Sequence, residues 1–265
     1  QLNVTVNTDD MAFVSPDVLR RNAGTIDEDA LLGRRCYGGF DLSSREDFTA
    51  AALEFPLDDG RVYVLLHSWV PRRKVELDQE KIDYYGLAMR GHLTIVDGEY
   101  IRQEDVYQWF VDMARKYEVV TIGYDPANAT RLRQMLENKG FDCAVVRQGP
   151  LTLNDPMKDI KELLLAGRVV SNGDPMLLWY ADNVRLSGER RHADKQNWMP
   201  TKRNRFRKID GFIAWLCAHC VDMEKNPAGM VNRAPRVRVV DLEARRDAAP
   251  EAAGRSVPRI RAPRF

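Results

Sequence analysis

The spacing of apolar and polar residues in the first part of the chain predicts three consecutive strands. The strand candidates run from Cys36 to Leu42, from Phe48 to Phe55 and from Arg61 to Val70. Asp58-Asp59-Gly60 separates the second and third candidates and is typical of a hairpin turn. The pattern therefore predicts an antiparallel three-stranded meander.

Longer apolar periods follow and predict helices that cover the sheet. Helical spacing occurs from Val75 to Met89 and from Gln103 to Tyr117. An apolar, β-rich run from Glu118 to Tyr124 precedes a helix from Ala127 to Lys139, which Gly140 ends, and a strand from Asp142 to Val146. This order predicts a strand, helix, strand unit and an α/β fold.

The remaining patterned segments are three helices and a polar hairpin. Asp155-Pro156 and Asp174-Pro175 are helix starts, the first helix reaching Ala166 and the second running toward Asp182. Residues 184–200 are polar and hairpin-like. The last helix is predicted over 207–221, with its apolar stripe at Ile209, Phe212, Ile213, Leu216 and Cys220.

Both ends of the chain differ from this centre. Residues 1–35 have few periodic apolar positions and are interpreted as a linker or arm with one short helix around 15–22. Residues 226–265 hold nine arginines against four acids, with scattered prolines, and are interpreted as a basic, extended tail. We therefore expect one main domain, residues 36–225, between an arm and a tail.

Composition narrows the class of protein only slightly. The chain has 44% hydrophobic and 30% charged residues, which is ordinary for a globular protein, and its net charge is +1. No apolar run approaches a membrane span, so we expect a soluble cytoplasmic protein without a membrane partner. Cys217 and Cys220 form a Cys-x-x-Cys that could be a redox pair or half of a zinc site, but reduced, packed thiols are the default interpretation.

Three aspartates stand where strands end or a helix begins. Asp41 and Asp125 directly follow apolar strand residues, in GGFD and IGYD, and Asp210 lies beside the buried stripe of the last helix. If the two strands are neighbours, their carboxylates converge at one sheet edge, and a first-turn side chain of the helix can join them.

Three clustered carboxylates repel one another and favour hard divalent cations, so Mg²⁺ or Mn²⁺ is the expected cofactor. Two such ions about 4 Å apart support in-line hydrolysis of a phosphodiester bond. The alternative is that each aspartate merely caps a turn or a helix.

Four segments resemble the successive motifs of the nuclease domain of tailed-phage terminase large subunits: CYGGFDLSSREDFTA, IGYDPANATRL, LLWYADNVRL and KIDGFIAWLCA. The resemblance covers roughly residues 30 to 225. It implies a ribonuclease H-like mixed central sheet flanked by helices and a two-metal endonuclease. Its expected substrate is double-stranded DNA, cut from concatemeric viral genomes during packaging in the host cytoplasm.

By position, the resemblance makes Asp41, Asp125 and Asp210 the catalytic, metal-binding acids. Asn183 is characteristic of the family, but its role is open. Asp47 is either a turn cap or a support of the site. Lys208 either neutralises phosphate or is an exposed residue at the helix start.

The segment from Gly188 to Lys208 concentrates positive charge just before Asp210. Basic side chains here would bind DNA phosphates without reading sequence, although a solvated loop is the alternative. The predicted DNA-binding residues are Arg190, Arg191, Lys195, Lys202, Arg203, Arg205 and Arg207.

No Gly-Lys dipeptide occurs, so the phosphate loop of an ATPase is missing and we expect no ATP hydrolysis by this chain. The resemblance implies a separate terminase ATPase motor domain as partner, with the portal and the small terminase subunit as further candidates. Two alternatives stay open: another ribonuclease H-like nuclease, such as a resolvase or a transposase core, and a non-catalytic docking module of the packaging motor.

Overall fold

A computed structural model describes residues 12–43, 47–187, 198–204 and 206–226, and the structural statements below concern these residues. Seven strands form one mixed sheet in the order β4-β3-β2-β1-β5-β6, with β7 paired to β3. The strands are β1 (Arg35–Asp41), β2 (Thr49–Pro56), β3 (Val62–Pro71), β4 (Leu93–Val96), β5 (Glu118–Tyr124), β6 (Cys143–Val145) and β7 (Val169–Val170). A separate antiparallel hairpin consists of β8 (Val184–Ser187) and β9 (Met199–Lys202).

Helices cover both faces of the sheet. They are α1 (Pro16–Arg21), α2 (Arg72–Leu77), α3 (Tyr84–Met89), α4 (Gln103–Ala114), α5 (Thr130–Lys139), α6 (Pro150–Leu165), α7 (Pro175–Asn183) and α8 (Asp210–Lys225). Helices α1, α6, α7 and α8 share one apolar core, and α4 and α5 share the core on the opposite face. The predicted α/β class, a mixed sheet flanked by helices, is confirmed.

Helix α8 crosses the middle of the sheet and is buried on nearly every side. It packs directly on the backbone of two strands, because Gly39 of β1 and Gly123 of β5 are partners in the parallel register and have no side chains. This pair is called the glycine strip below. A Cβ atom on Gly39 would lie 2.1 Å from the carbonyl oxygen of Ala214, and one on Gly123 would lie 2.3 Å from that of Cys217. The two glycines therefore fix how closely the helix approaches the strands.

The meander of β1, β2 and β3 is antiparallel as predicted, with Gly60 at a φ of 78° in its turn. Strand β5 has the predicted bounds, and Gly140 ends α5 in the left-handed conformation. Cys217 is a buried and Cys220 a half-buried free thiol on α8.

Three predictions about elements are wrong. The helix expected over 75–89 is two short helices, because Asp78 adopts a left-handed φ of 41° between them, and β4 follows unpredicted. Helix α6 begins at Pro150 and holds Pro156 in its interior. The last helix begins at Asp210 instead of 207.

The described part of the predicted arm, residues 12–35, packs into the core. This segment buries Phe13, Val18 and Leu31, and the buried Asn22 donates to the carbonyl oxygen of Leu164 at 2.8 Å. Each short element of this segment buries only one or two side chains, so the sequence shows no periodic apolar pattern that would predict its burial. The predicted tail lies outside the described residues except for Asn226. Within the described ranges, none of the helices has the length and apolar character needed to cross a bilayer.

Candidate metal centre

Asp41 and Asp125 lie side by side at the carboxyl edge of the sheet. Strands β1 and β5 are parallel neighbours, and Phe40 pairs with Tyr124, the residues just before the two acids. Asp125 Oδ1 also accepts a hydrogen bond from the amide of Ala127 at 3.0 Å. Asp125 therefore caps its turn, as the simpler interpretation held, while its strand brings it next to Asp41.

Asp210 is the first residue of α8 and is buried. Its Oδ2 atom has no hydrogen-bond partner among the described residues. The neighbouring Ile209 occupies the cap position, and no side chain caps the helix. Asp210 thus does not serve as a helix cap, and a buried carboxylate oxygen is left without compensation, which is costly unless a cation binds it.

The acids are close enough to perturb one another. Burial, then the charges of Asp210 and Asp125, raise the pKa of Asp41 well above its usual value, against an opposing effect of Lys202. Burial and the charge of Asp47 raise the pKa of Asp210 to about 6, and Lys202 and Lys208 oppose this. Carboxylates that resist ionisation together, with one oxygen unpaired, fit a hard divalent cation.

Asp47 and Lys208 form an ion pair beside Asp210. The Nζ atom of Lys208 lies 2.5 Å from Asp47 Oδ2, and the amide of Phe48 donates to Asp47 Oδ1 at 2.9 Å. Lys208 is 7% exposed, so the interpretation of an exposed residue at the helix start is wrong. Asp47 thus contacts the amide of the next residue through Oδ1 and Lys208 through Oδ2, and its role as a turn cap or as a support of the site stays a prediction.

A buried lysine and glutamate extend this pair, and the sequence did not indicate them. The Nζ atom of Lys74 lies 4.0 Å from Asp47 Oδ1 and 2.8 Å from Glu80 Oε1. Both residues stand in a charged stretch that is typical of an exposed helix, so no local signal could have identified them. Alternating charges thus lead from Glu80 to the neighbourhood of Asp210.

Asn183 holds the backbone that enters α8. Its buried side chain donates from Nδ2 to the carbonyl oxygen of Lys208 at 2.9 Å. The amide of Arg203 donates to the backbone carbonyl of Asn183 at 3.1 Å. Asn183 thus contacts the backbone of Lys208, which lies two positions ahead of Asp210, and the sequence left the role of Asn183 open.

The predicted basic segment is described only in part. Lys202 ends β9 and is exposed, Arg203 follows it and is exposed, and Arg207 is half-buried. Lys202 lowers the pKa of both Asp41 and Asp210, so its charge acts on the acid cluster. Four of the predicted DNA-binding residues lie outside the described residues: Arg190, Arg191, Lys195 and Arg205.

The mixed sheet, with acids at the ends of adjacent strands and on a helix across them, defines a ribonuclease H-like domain. The family model described as the terminase large subunit, endonuclease domain, matches residues 1–224, and the chain belongs to this family.

Relatives and solved structures agree with the family. The terminase large subunit of Lactococcus phage SK1 is 29% identical over 193 residues, which is 69% of this chain and 34% of that protein. The terminase large subunit of Enterobacteria phage HK97 is 25% identical over 189 residues, 68% of this chain and 36% of that protein.

The crystal structure of the HK97 bacteriophage large terminase has the same fold, with a TM-score of 0.70 and 21% identity, covering 79% of this chain and 43% of that one. The chain thus spans less than half the length of these relatives.

Proposed function

We propose that this chain cuts double-stranded viral DNA during genome packaging, as a metal-dependent endonuclease that hydrolyses phosphodiester bonds of concatemeric genomes. The observation that carries the proposal is the convergence of Asp41, Asp125 and Asp210, with a buried oxygen of Asp210 unpaired. Such a set of acids without a cation would only destabilise the fold.

Asp41, Asp125 and Asp210 would hold two Mg²⁺ or Mn²⁺ ions. When bound, such ions lower the pKa of a coordinated water and stabilise charge on the attacking and leaving oxygens. The protein supplies the geometry: β1 and β5 fix two carboxylates in register, and the glycine strip brings the third to them. Lys208 and Asn183 keep the start of α8 in place.

DNA would approach along the β8–β9 hairpin. Lys202 and Arg203 are exposed on the segment that leads to Asp210, and the sequence places further basic residues between the two strands. Contacts of this kind bind phosphates without reading bases, so affinity should fall steeply with salt. The proposed partners besides DNA are the terminase ATPase motor, the portal and the small terminase subunit, in the host cytoplasm.

The proposal is tested by incubating the chain with supercoiled plasmid. We expect nicked and then linear DNA with Mn²⁺ or Mg²⁺, no cleavage with a chelator, and no preferred site. Cleavage that persists in excess chelator would contradict the metal mechanism. Preferential cutting of a four-way junction over linear duplex would favour a resolvase, and complete inactivity of folded protein with either ion would favour a docking module.

A variant pair separates the acids from the rest of the surface. Asp41→Asn should reduce cleavage roughly a thousandfold, since ion binding contributes several kcal/mol to the transition state. Asp47→Asn should be milder, because Asp47 acts through Lys208. The matched control is Asp59→Asn in the turn between β2 and β3, an exposed aspartate at the opposite edge of the sheet, which should cut normally. Normal cutting by Asp41→Asn would refute the assignment.

A further inference from the structure

A second group of metal-ligating side chains lies at the other end of α8. Glu54 of β2 is fully buried, and His219 and Asp222 stand on the last turns of the helix. Asp222 follows Asp210 by twelve residues on α8, which places it about 18 Å away along the helix axis. The group is therefore separate from the candidate metal centre.

The three side chains lie close enough together to hold one ion. One ligand atom each from Glu54, His219 and Asp222 lie within 4.8 Å of one another. His219 Nδ1 is 2.8 Å from Glu54 Oε1, so this ring nitrogen faces the carboxylate. The other glutamate oxygen accepts a hydrogen bond from Trp215 Nε1, which fixes its orientation.

The second nitrogen of His219 has the partner that metal-bound histidines have. His219 Nε2 lies 3.0 Å from Asp159 Oδ2 of α6. A histidine that binds a metal through one nitrogen usually donates its other N–H to a carboxylate, which sets the tautomer. Asp222 Oδ1 in turn accepts from Asn226 Nδ2 at 3.3 Å. The outer contacts of a site are thus present.

An ion could reach the group from solvent. A cleft of about 280 Å³ opens on it, and Asp159, His219, Asp222 and Asn226 are among its lining residues. Two carboxylates contact the single imidazole and a third lies within 4.8 Å, so carboxyl groups outnumber the imidazole here. Ligands, outer contacts and an entry path are the features expected of a metal site.

We propose that Glu54, His219 and Asp222 form a separate site for a further divalent cation, with water from the cleft completing its coordination and Asp159 orienting the imidazole. One nitrogen and two carboxylate ligands suit a borderline ion, and Zn²⁺ is the best match. The ion would join β2 to the end of α8 and stabilise the domain without taking part in cleavage.

The test uses the full chain carrying Asp41→Asn and Asp210→Asn, so that ions at the first centre do not contribute. Titration with ZnCl₂ by calorimetry should give one ion per chain, and X-ray absorption should show one imidazole nitrogen among oxygen ligands. Adding Asp222→Asn should weaken binding at least tenfold, and so should His219→Gln. Glu162→Gln, which removes a charge from an exposed position on α6, is the matched control and should leave binding unchanged.

Asp222→Asn is nearly isosteric and lies at the cleft, so it keeps the test valid if His219→Gln does not fold. Absence of zinc binding by the folded double variant would overturn the proposal. Binding that survives both cluster substitutions would also overturn it, because the ion would then sit elsewhere. A rise in melting temperature with Zn²⁺ in the double variant, lost with Asp222→Asn, would support the structural role.

Discussion

The two ends of α8 hold carboxylates in opposite electrostatic situations. At its start, Asp210 faces other acids, and its Oδ2 atom has no partner among the described residues. Near its end, Glu54 and Asp159 flank His219, which contacts both. The difference teaches that buried carboxylates alone do not define a function: at the first end an oxygen of Asp210 is left unpaired among the described residues, whereas at the second end an imidazole contacts two carboxylates.

The pKa values follow this difference. Burial, and then the charge of Asp47, raise the pKa of Asp210 to about 6. Burial disfavours the protonated ring of His219, but Glu54 and Asp159 outweigh it and raise its pKa to about 10. Burial and Glu54 raise the pKa of Asp222 to about 8. In the absence of added metal, His219 is therefore charged at neutral pH and compensates its neighbours.

The largest loss of stability is expected from a change at Gly39, where the middle of α8 packs on β1. Gly39→Ala places a methyl group against the backbone of α8 at Ala214 and Ala218, which cannot move without displacing the helix. We expect a loss of about 3 kcal/mol or more in the free energy of unfolding, measured by urea denaturation. Gly24→Ala, where a Cβ meets nothing within 4 Å, is the control and should change stability little. Equal stability of the two variants would show that α8 is not held this closely.

Substitutions at the two ends of α8 should change the stability of the protein in different ways. His219→Gln leaves Glu54 and Asp159 without their cation and should lower the free energy of unfolding by about 3 kcal/mol. Asp210→Asn, measured in chelator, should not destabilise the protein, because it removes a repelling charge. Calorimetric melting of both variants checks this. If Asp210→Asn destabilises the protein as much as His219→Gln does, the two ends of α8 do not differ in the way described.

Stability should also fall as pH rises. The folded pKa of His219 lies above its usual 6.5, so its contribution is complete below that pH and is lost as pH approaches 10. The raised pKa of Asp222 acts in the same direction up to about 8. We expect the free energy of unfolding, measured in chelator, to drop by a few kcal/mol between pH 6.5 and 10. His219→Gln should flatten this curve, and an unchanged slope would assign the pH dependence to other groups.

Sequence patterns predicted the acids at the start of α8, but they did not predict the group of Glu54, His219 and Asp222 near its end. Asp41 and Asp125 end apolar strands, so their positions follow from local pattern, and only their adjacency required the pairing of β1 with β5. The ion pair of Lys208 with Asp47 joins residues 161 positions apart, which local spacing cannot predict. The contact of His219 with Glu54 spans 165 positions.

A signal for the second end was nevertheless present. Glu54 is a charged residue inside a strand whose other described residues are apolar or small, and His219 interrupts an apolar helix. A buried charge requires a partner, so two such residues in core elements indicate a pair. No comparable pattern predicts that residues 12–35 pack into the core, because this segment contributes isolated side chains such as Phe13.

Cleavage should depend on pH at the first end. Protons compete with metal ions for Asp210 and Asp41, whose pKa values are both raised. The rate should therefore fall about tenfold for each pH unit well below 6 at limiting Mn²⁺. A higher Mn²⁺ concentration should move the midpoint to lower pH, since the ion displaces the proton. A midpoint that does not respond to Mn²⁺ would assign the pH dependence to another group.

The smallest effect on cleavage is expected from Lys202, whose charge lies both in the proposed DNA-binding segment and near the acids. Lys202 is exposed but lowers the pKa of Asp41 and Asp210, so Lys202→Gln should move the midpoint of cleavage upward by a few tenths of a pH unit. If Lys202 also contacts a phosphate, the slope of log affinity against log salt should decrease in magnitude by about one. Lys139→Gln, on α5, is the charge-matched control. A changed salt slope without a midpoint shift would assign Lys202 to DNA binding alone, and the reverse result would assign it to the acids alone.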